Sequence, residues 1–167
     1  IELVNRLKTH QQNLIDAVHP EEWREDSAYL QLATPGDFSG SRISDMRYYN
    51  LMGNLPWLLH NLWWQYRFSM DASILEDPIF PLLRRAVNLY RHILEEHEDG
   101  KLHLSPTYTP EVDTHKNSNF DLALLKWSCH ILLQSCEILN ISDPLIPKWK
   151  DIIERLVDYP KDEDGFM

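Results

Sequence analysis

Residues Asn119–Leu139 read NFDLALLKWSCHILLQSCEIL, a strongly helical stretch without proline or glycine, and predict a long helix. Its two cysteines, Cys129 and Cys136, fall on one face of that helix, ~10 Å apart along the axis, too far for a disulfide. No other cysteine is available, so both read as buried apolar residues, and the redox compartment stays open.

Working outward, punctuation and periodicity predict four more helices. A following one covers 144–157. The first covers 2–18, with Leu3, Leu7, Leu14 and Val18 at helical intervals, and ends at His19-Pro20. The second starts near Ser44, an N-cap, is interrupted around Gly53 and Pro56, and resumes through Met70. The third covers 77–97, with Pro78 and Pro81 in its first turns. Its apolar stripe is Ile79, Leu82, Leu83, Val87, Tyr90, Ile93 and Leu94, closed by Asp99-Gly100. Residues 101–112 lack a helical period and predict an extended segment or hairpin. The connector 21–43, carrying Thr34-Pro35-Gly36 and Ser39-Gly40-Ser41, is long for an idle loop, which points to function or docking. The expected fold is all-α, a single helical region over 1–167.

Composition narrows the function classes. With 43% apolar and 25% charged residues the chain is of ordinary globular type, and six Trp with seven Tyr imply an aromatic-rich core or a ring-lined groove. A net charge of −10 and no basic stripe argue against nucleic acid and against an anionic membrane surface. No run approaches the ~18 apolar residues of a membrane span; the densest, 55–64, is broken by Pro56, His60 and Asn61. The chain opens at Ile1 inside a helix and stops at Met167 without a cap, so a portion of a longer polypeptide is expected.

Two stretches can carry chemistry. In LSPTYTPE (104–111), Pro106 and Pro110 stiffen a loop that ends on Glu111, as an enzyme requires to hold an acid at a set distance. The plain alternative is a solvated or capping carboxylate. In the second, Asn61 and Gln65 share one helix face and His60 and Trp64 another. Amides match hydroxyls as donor and acceptor, and rings stack on the apolar faces of sugars. Core packing is the alternative, and for Trp63 the better one. No metal site is expected, because the eight histidines form no HxxxH or HExxH pair and there is no CxxC. Glycine-rich phosphate loops and the GxSxG elbow are missing too, so no cofactor is expected. Arg84-Arg85 reads as a solvated face.

The combination resembles the helical catalytic barrel of glycoside hydrolase family 95, whose activities include α-L-fucosidase and α-L-galactosidase. Asn61-Leu62-Trp63-Trp64-Gln65-Tyr66, then Asp99-Gly100, SPTYTPE (105–111), Asn119-Phe120-Asp121, Glu137-Ile138-Leu139 and 161–165 follow the family's order from about residue 42 onward. The resemblance implies part of an (α/α)6 toroid of six helical hairpins that hydrolyses O-glycosidic bonds with inversion. It places Glu111 as the general acid and Asn61 on the water side, with His60, Trp64, Gln65, Tyr108 and Thr109 near the sugar. A second family asparagine falls on Leu59, which cannot orient water, and the activating aspartate has no counterpart here. It further implies a glycan substrate, the remainder of a parent polypeptide as partner, exposed apolar surface or self-association in the isolated piece, which alone would be inactive, and a secreted or periplasmic parent. The competing reading is a non-catalytic helical bundle that binds a protein or glycan through an aromatic face.

Overall fold

The structure is a computed structural model and describes residues 2–40, 51–109, 113–163 and 165–166. Its architecture is mainly helical with small hairpins. The helices are α1 (Glu2–Asp16), α2 (Asn54–Ser69), α3 (Ala72–Ile74), α4 (Phe80–Arg91), α5 (Asn119–Leu139) and α6 (Ile146–Arg155). A π-helical turn, Leu75–Ile79, joins α3 to α4, and a 3-10 turn covers Glu21–Glu25.

Helix α5 has the predicted bounds, and its ends explain why. Ser118 caps it, its hydroxyl accepting the Asp121 amide proton, and Asn140 ends it in the left-handed conformation at φ 53°. By length and composition it could cross a membrane, contrary to the sequence expectation that no run does. Leu122, Leu125, Cys129, Ile131 and Leu132 on it are buried, and it packs against both α4 and α6, so its apolarity serves the core. Burial pushes the Cys129 thiol up to about 12. In the native chain Cys129 is therefore expected to resist a thiol reagent at pH 8 and to react only after denaturation. Rapid labelling of the folded protein at Cys129 would contradict this.

Helix α2 begins at Asn54, so Pro56 lies in its first turn, where the missing amide proton costs nothing. The Ser44 cap falls outside the described residues. Gly53, just before α2, is needed for space: a Cβ there would lie 2.2 Å from a ring carbon of Phe120 and 2.8 Å from Leu124. Its φ of −73° suits any residue, so Gly53→Ala is a purely steric change. It is expected to destabilise the fold by about 1–3 kcal/mol, read as a lowered thermal midpoint; an unchanged midpoint would refute the close approach.

The third predicted helix ends sooner than expected. Helix α4 stops at Arg91, and Leu94 lies in a strand, β1 (Leu94–Glu96), paired antiparallel with β2 (Leu102–Leu104) in the register Leu94↔Leu104. Asp99-Gly100 is thus a hairpin turn, with Gly100 at φ +74°, and not a helix stop. Beyond it lie β3 (Thr107–Tyr108) with β4 (Thr114–His115), and β5 (Lys161–Asp162) with β6 (Gly165–Phe166), each pair antiparallel. Val157 N–H donates to the Leu102 carbonyl at 3.0 Å, fastening the end of α6 to the first hairpin.

The core sits where α2, α4 and α5 meet, with α6 packed against α5 and its Trp149 edge-on to Phe80 at the head of α4. Leu55, Leu59, Leu62, Leu82, Leu83, Tyr90, Leu125 and Trp149 are fully buried. Arg84 and Arg85 correct the solvated-face expectation. Arg84 pairs with Asp143 at 2.7 Å, and Arg85 donates to the carbonyls of Arg24 and Ser27, locking the 3-10 turn onto α4.

Candidate active site

Helix α2 sorts its residues by face. Leu55, Leu59, Leu62, Trp63 and Tyr66 point into the core, so Trp63 is packing, as expected. The opposite face carries Trp57, Asn61, Trp64 and Phe68 in a row toward solvent, with Trp57 50% and Trp64 47% exposed. Asn61 is exposed there. Its Nδ2 donates to the Trp57 carbonyl at 3.1 Å, which leaves Oδ1 as an acceptor facing outward. His60 and Gln65 flank the row, half-buried. The Trp64 indole N–H donates to His60 Nε2 at 3.2 Å, and the His60 ring stands edge-on to Trp127, 4.9 Å between centroids. His60 is therefore fixed as an acceptor at Nε2. Leu59 is fully buried, so it stands in the core and not at the site.

Tyr108 and Thr109 lie on the other element, in and just after β3. Tyr108 is 8% exposed. Thr109 donates both its amide and its hydroxyl to the Asp113 carbonyl, at 3.0 and 2.9 Å. The β3–β4 hairpin is thereby closed immediately before residues 110–112. Glu111 itself lies outside the described residues.

The arms of this hairpin are heavily anchored. Leu104 N–H donates to Asn117 Oδ1 at 2.8 Å, which turns the Asn117 amide nitrogen toward His103 Nδ1 at 3.0 Å. His103 Nδ1 must then be the acceptor, so the ring proton sits on Nε2, 3.2 Å from Asp99 Oδ2. Ser105 Oγ donates to Glu95 at 2.7 Å, and that hydroxyl holds the Glu95 carboxyl below its usual value.

The residue that sequence reasoning left without a role is Asp121. It is fully buried and accepts from Tyr90 Oη and Thr107 Oγ1, both at 2.6 Å, from Ser118 Oγ at 2.8 Å, and from the Gly53 amide. One carboxylate thus ties α4, the β3 arm, the α5 cap and the entry to α2 into a single node. Burial raises its pKa above the ordinary aspartate value, and the hydroxyls and the amide only partly offset that. Its partner Tyr90, also fully buried, is pushed well above the usual tyrosine value by burial and then by the neighbouring carboxylate. The signal for this node was available: Ser-x-x-Asp at the head of a helix is a capping pattern, but nothing local shows its distant partners.

A groove of about 470 Å³ opens beside the α2 face, lined by residues including Leu30, Gln31, Thr34, Asn54, Trp57 and Asn61. It was not foreseen, because its second wall is the irregular connector. Among the described residues no group of three or more His, Cys, Asp or Glu side chains could hold a metal ion. The chemistry on offer is that of rings, amides and hydroxyls. Residues 31–167 match the family model for the glycosyl hydrolase family 95 catalytic domain. No curated protein matches the chain.

Proposed function

The chain belongs to glycosyl hydrolase family 95, and from that premise we propose that it works as part of a catalytic domain that cleaves O-glycosidic bonds with inversion, Glu111 serving as the general acid. The observation that carries the proposal is the match over residues 31–167, which contains both the α2 face and the 104–111 loop. In this reaction Glu111 gives its proton to the departing glycosidic oxygen as the anomeric carbon–oxygen bond breaks. Water attacks the anomeric carbon from the opposite face and loses its proton to a base. Asn61, whose Oδ1 faces outward, is assigned to orient that water. His60, Trp64 and Gln65 are assigned to the sugar. Tyr108 and Thr109 are assigned to the same site beside Glu111; the burial of Tyr108 and the Thr109–Asp113 bonds support a share in mounting the acid.

The proposal extends to architecture. Residues 1–167 form one helical region, and the helical pairs belong to an (α/α)6 toroid of six hairpins. The exposed Phe68, with Met70 after it, supports a surface that the remainder of a longer polypeptide, or a second copy, covers. The domain's place is outside the cytoplasm, secreted or periplasmic, where polymeric glycans are met. The exposed row on α2 favours one alternative, a bundle that binds a glycan or protein without turning it over. Glu111→Gln separates the two: under the hydrolase reading the full polypeptide turns over a glycoside and the substitution lowers that turnover steeply, whereas under the binding one there is no turnover to lose and affinity is unchanged.

A further inference from the structure

We propose that Asn140 is an attachment site for an N-linked oligosaccharide, placed on the turn that joins α5 to α6. The first support is the triplet Asn140-Ile141-Ser142, which has the acceptor form Asn-x-Ser with x other than proline. Of the nine asparagines in the chain, no other is followed by serine or threonine two residues on. An acceptor amide must face solvent, because the chain it carries is bulky and hydrophilic. Asn140 and Ser142 are both exposed, and neither side chain makes a hydrogen bond to a described residue.

The turn holds without those two side chains. Asn140 N–H donates to the Glu137 carbonyl at 3.3 Å and Ile141 N–H to the Cys136 carbonyl at 3.0 Å, which closes α5 through the backbone. On the other side, Asp143 accepts the Leu145 amide proton at 2.8 Å and pairs with Arg84 at 2.7 Å, fixing the entry to α6. Asparagine suits a left-handed helix stop, so Asn140 by itself is explained by its φ of 53°. Ser142 is not explained by the turn, and the acceptor triplet gives it a role. The surroundings favour a sugar chain. Ile138 and Ile141, 49% and 40% exposed, flank Asn140 and are two of the six exposed large apolar side chains among the described residues. An oligosaccharide rooted between them would take that apolar surface from water. Helix α5 has 21 residues, so the turn lies roughly 30 Å along its axis from the Ser118 end, where Asp121 anchors the β3 arm. The attachment point is therefore well removed from the 104–111 loop.

The modification is a group transfer from an oligosaccharide carried on a polyprenyl diphosphate. Asn140 Nδ2 bonds to the anomeric carbon and gives up one proton. The bond from that carbon to the diphosphate oxygen breaks, and its electron pair leaves with the diphosphate. This inference rests on the export reading of the chain and not on Glu111 as the acid. Its test directs the full chain into the secretory lumen of a eukaryotic cell and treats the product with a peptide N-glycosidase. One mobility shift is expected, removed by the enzyme, with aspartate left at position 140 of the released peptide. Ser142→Ala should abolish the shift, as should Asn140→Gly, which keeps the left-handed stop. Ser142→Thr should retain it. The glycosylated chain should melt at or above the midpoint of the enzymatically stripped one, because the site lies outside the core. A bare chain recovered from the lumen, a shift that survives Ser142→Ala, or a lower midpoint with the oligosaccharide attached would each overturn the proposal. A natural protein exported with Asn140 bare would overturn it too, and leave the export reading standing. Confinement of the natural protein to the cytoplasm, with the lumenal chain modified, would remove the export reading and leave the acceptor site.

Discussion

Glu111→Gln is expected to lower turnover by about 10²–10⁴-fold while leaving substrate affinity close to its original value. Glutamine keeps the size and much of the hydrogen bonding of the acid but has no proton to give. Departure of a sugar alkoxide then proceeds without protonation, and the loss falls on kcat and not on KM, because the missing interaction belongs to the transition state. A substrate whose leaving group is already a stable anion, such as a dinitrophenyl glycoside, needs little protonation. It should lose far less activity than the natural linkage. Kinetics of both substrates, wild type against variant, give the decisive comparison. Equal losses for the two leaving groups would mean that Glu111 supports the fold or the binding, and that the proton comes from elsewhere.

Asp121→Ala is expected to produce the largest loss of stability of any single substitution in the described residues, at least about 3 kcal/mol. The change strands three buried hydroxyls and one backbone amide, and each unsatisfied buried group costs about 1–3 kcal/mol. For a chain of this size that corresponds to a fall of roughly 6–12 °C or more in the thermal midpoint. Asp121→Asn should cost less, because its carbonyl oxygen still accepts from some of the same donors. The pH dependence has a definite sign. The folded-state pKa of Asp121 lies above the unfolded one, so its contribution is fully present below the ordinary aspartate range and is lost as pH rises through the folded value. The stability gap between wild type and Asp121→Asn should therefore be wider in acid than at neutral pH. Asp26 runs the other way. Its partial burial works against ionisation, but hydrogen bonds from His92 and Ser27 hold its pKa below the ordinary value, so its contribution is lost as the solution is acidified. Thermal melts of the two proteins at acid and neutral pH would test the sign, and a gap that narrows in acid would refute it.

The node at Asp121 also bears on activity. Thr107 hangs from it four residues before Glu111, and Gly53 hangs from it at the head of the helix that carries Asn61. The two proposed halves of the site are thus mounted on one buried carboxylate, and a loss of packing at this point should reach both.

The helices were legible in the sequence wherever their signals are local. An apolar period, Ser118 as cap and Asn140 as stop are all properties of one short stretch, and α5 was read to the residue. So was the burial of Cys129, Cys136 and Trp63, and so was the family, which depends on the order of short motifs along the chain. The sequence misled where one signal serves two structures. Asp-Gly after an apolar run suits a helix stop and a hairpin equally, and only the pairing of Leu94 with Leu104 across the turn decides it. The outward placing of Trp57 and Trp64 was not decided locally, because their rings are as hydrophobic as buried Trp63 and the packing of α4 and α5 against α2 sets the face. Tertiary structure alone decided that Asn61 is exposed, that Asp121 gathers partners from four segments, and that the connector meets α2 to form a groove. Each of these depends on residues far apart in the chain being brought within hydrogen-bond or van der Waals distance, and no local periodicity encodes that distance.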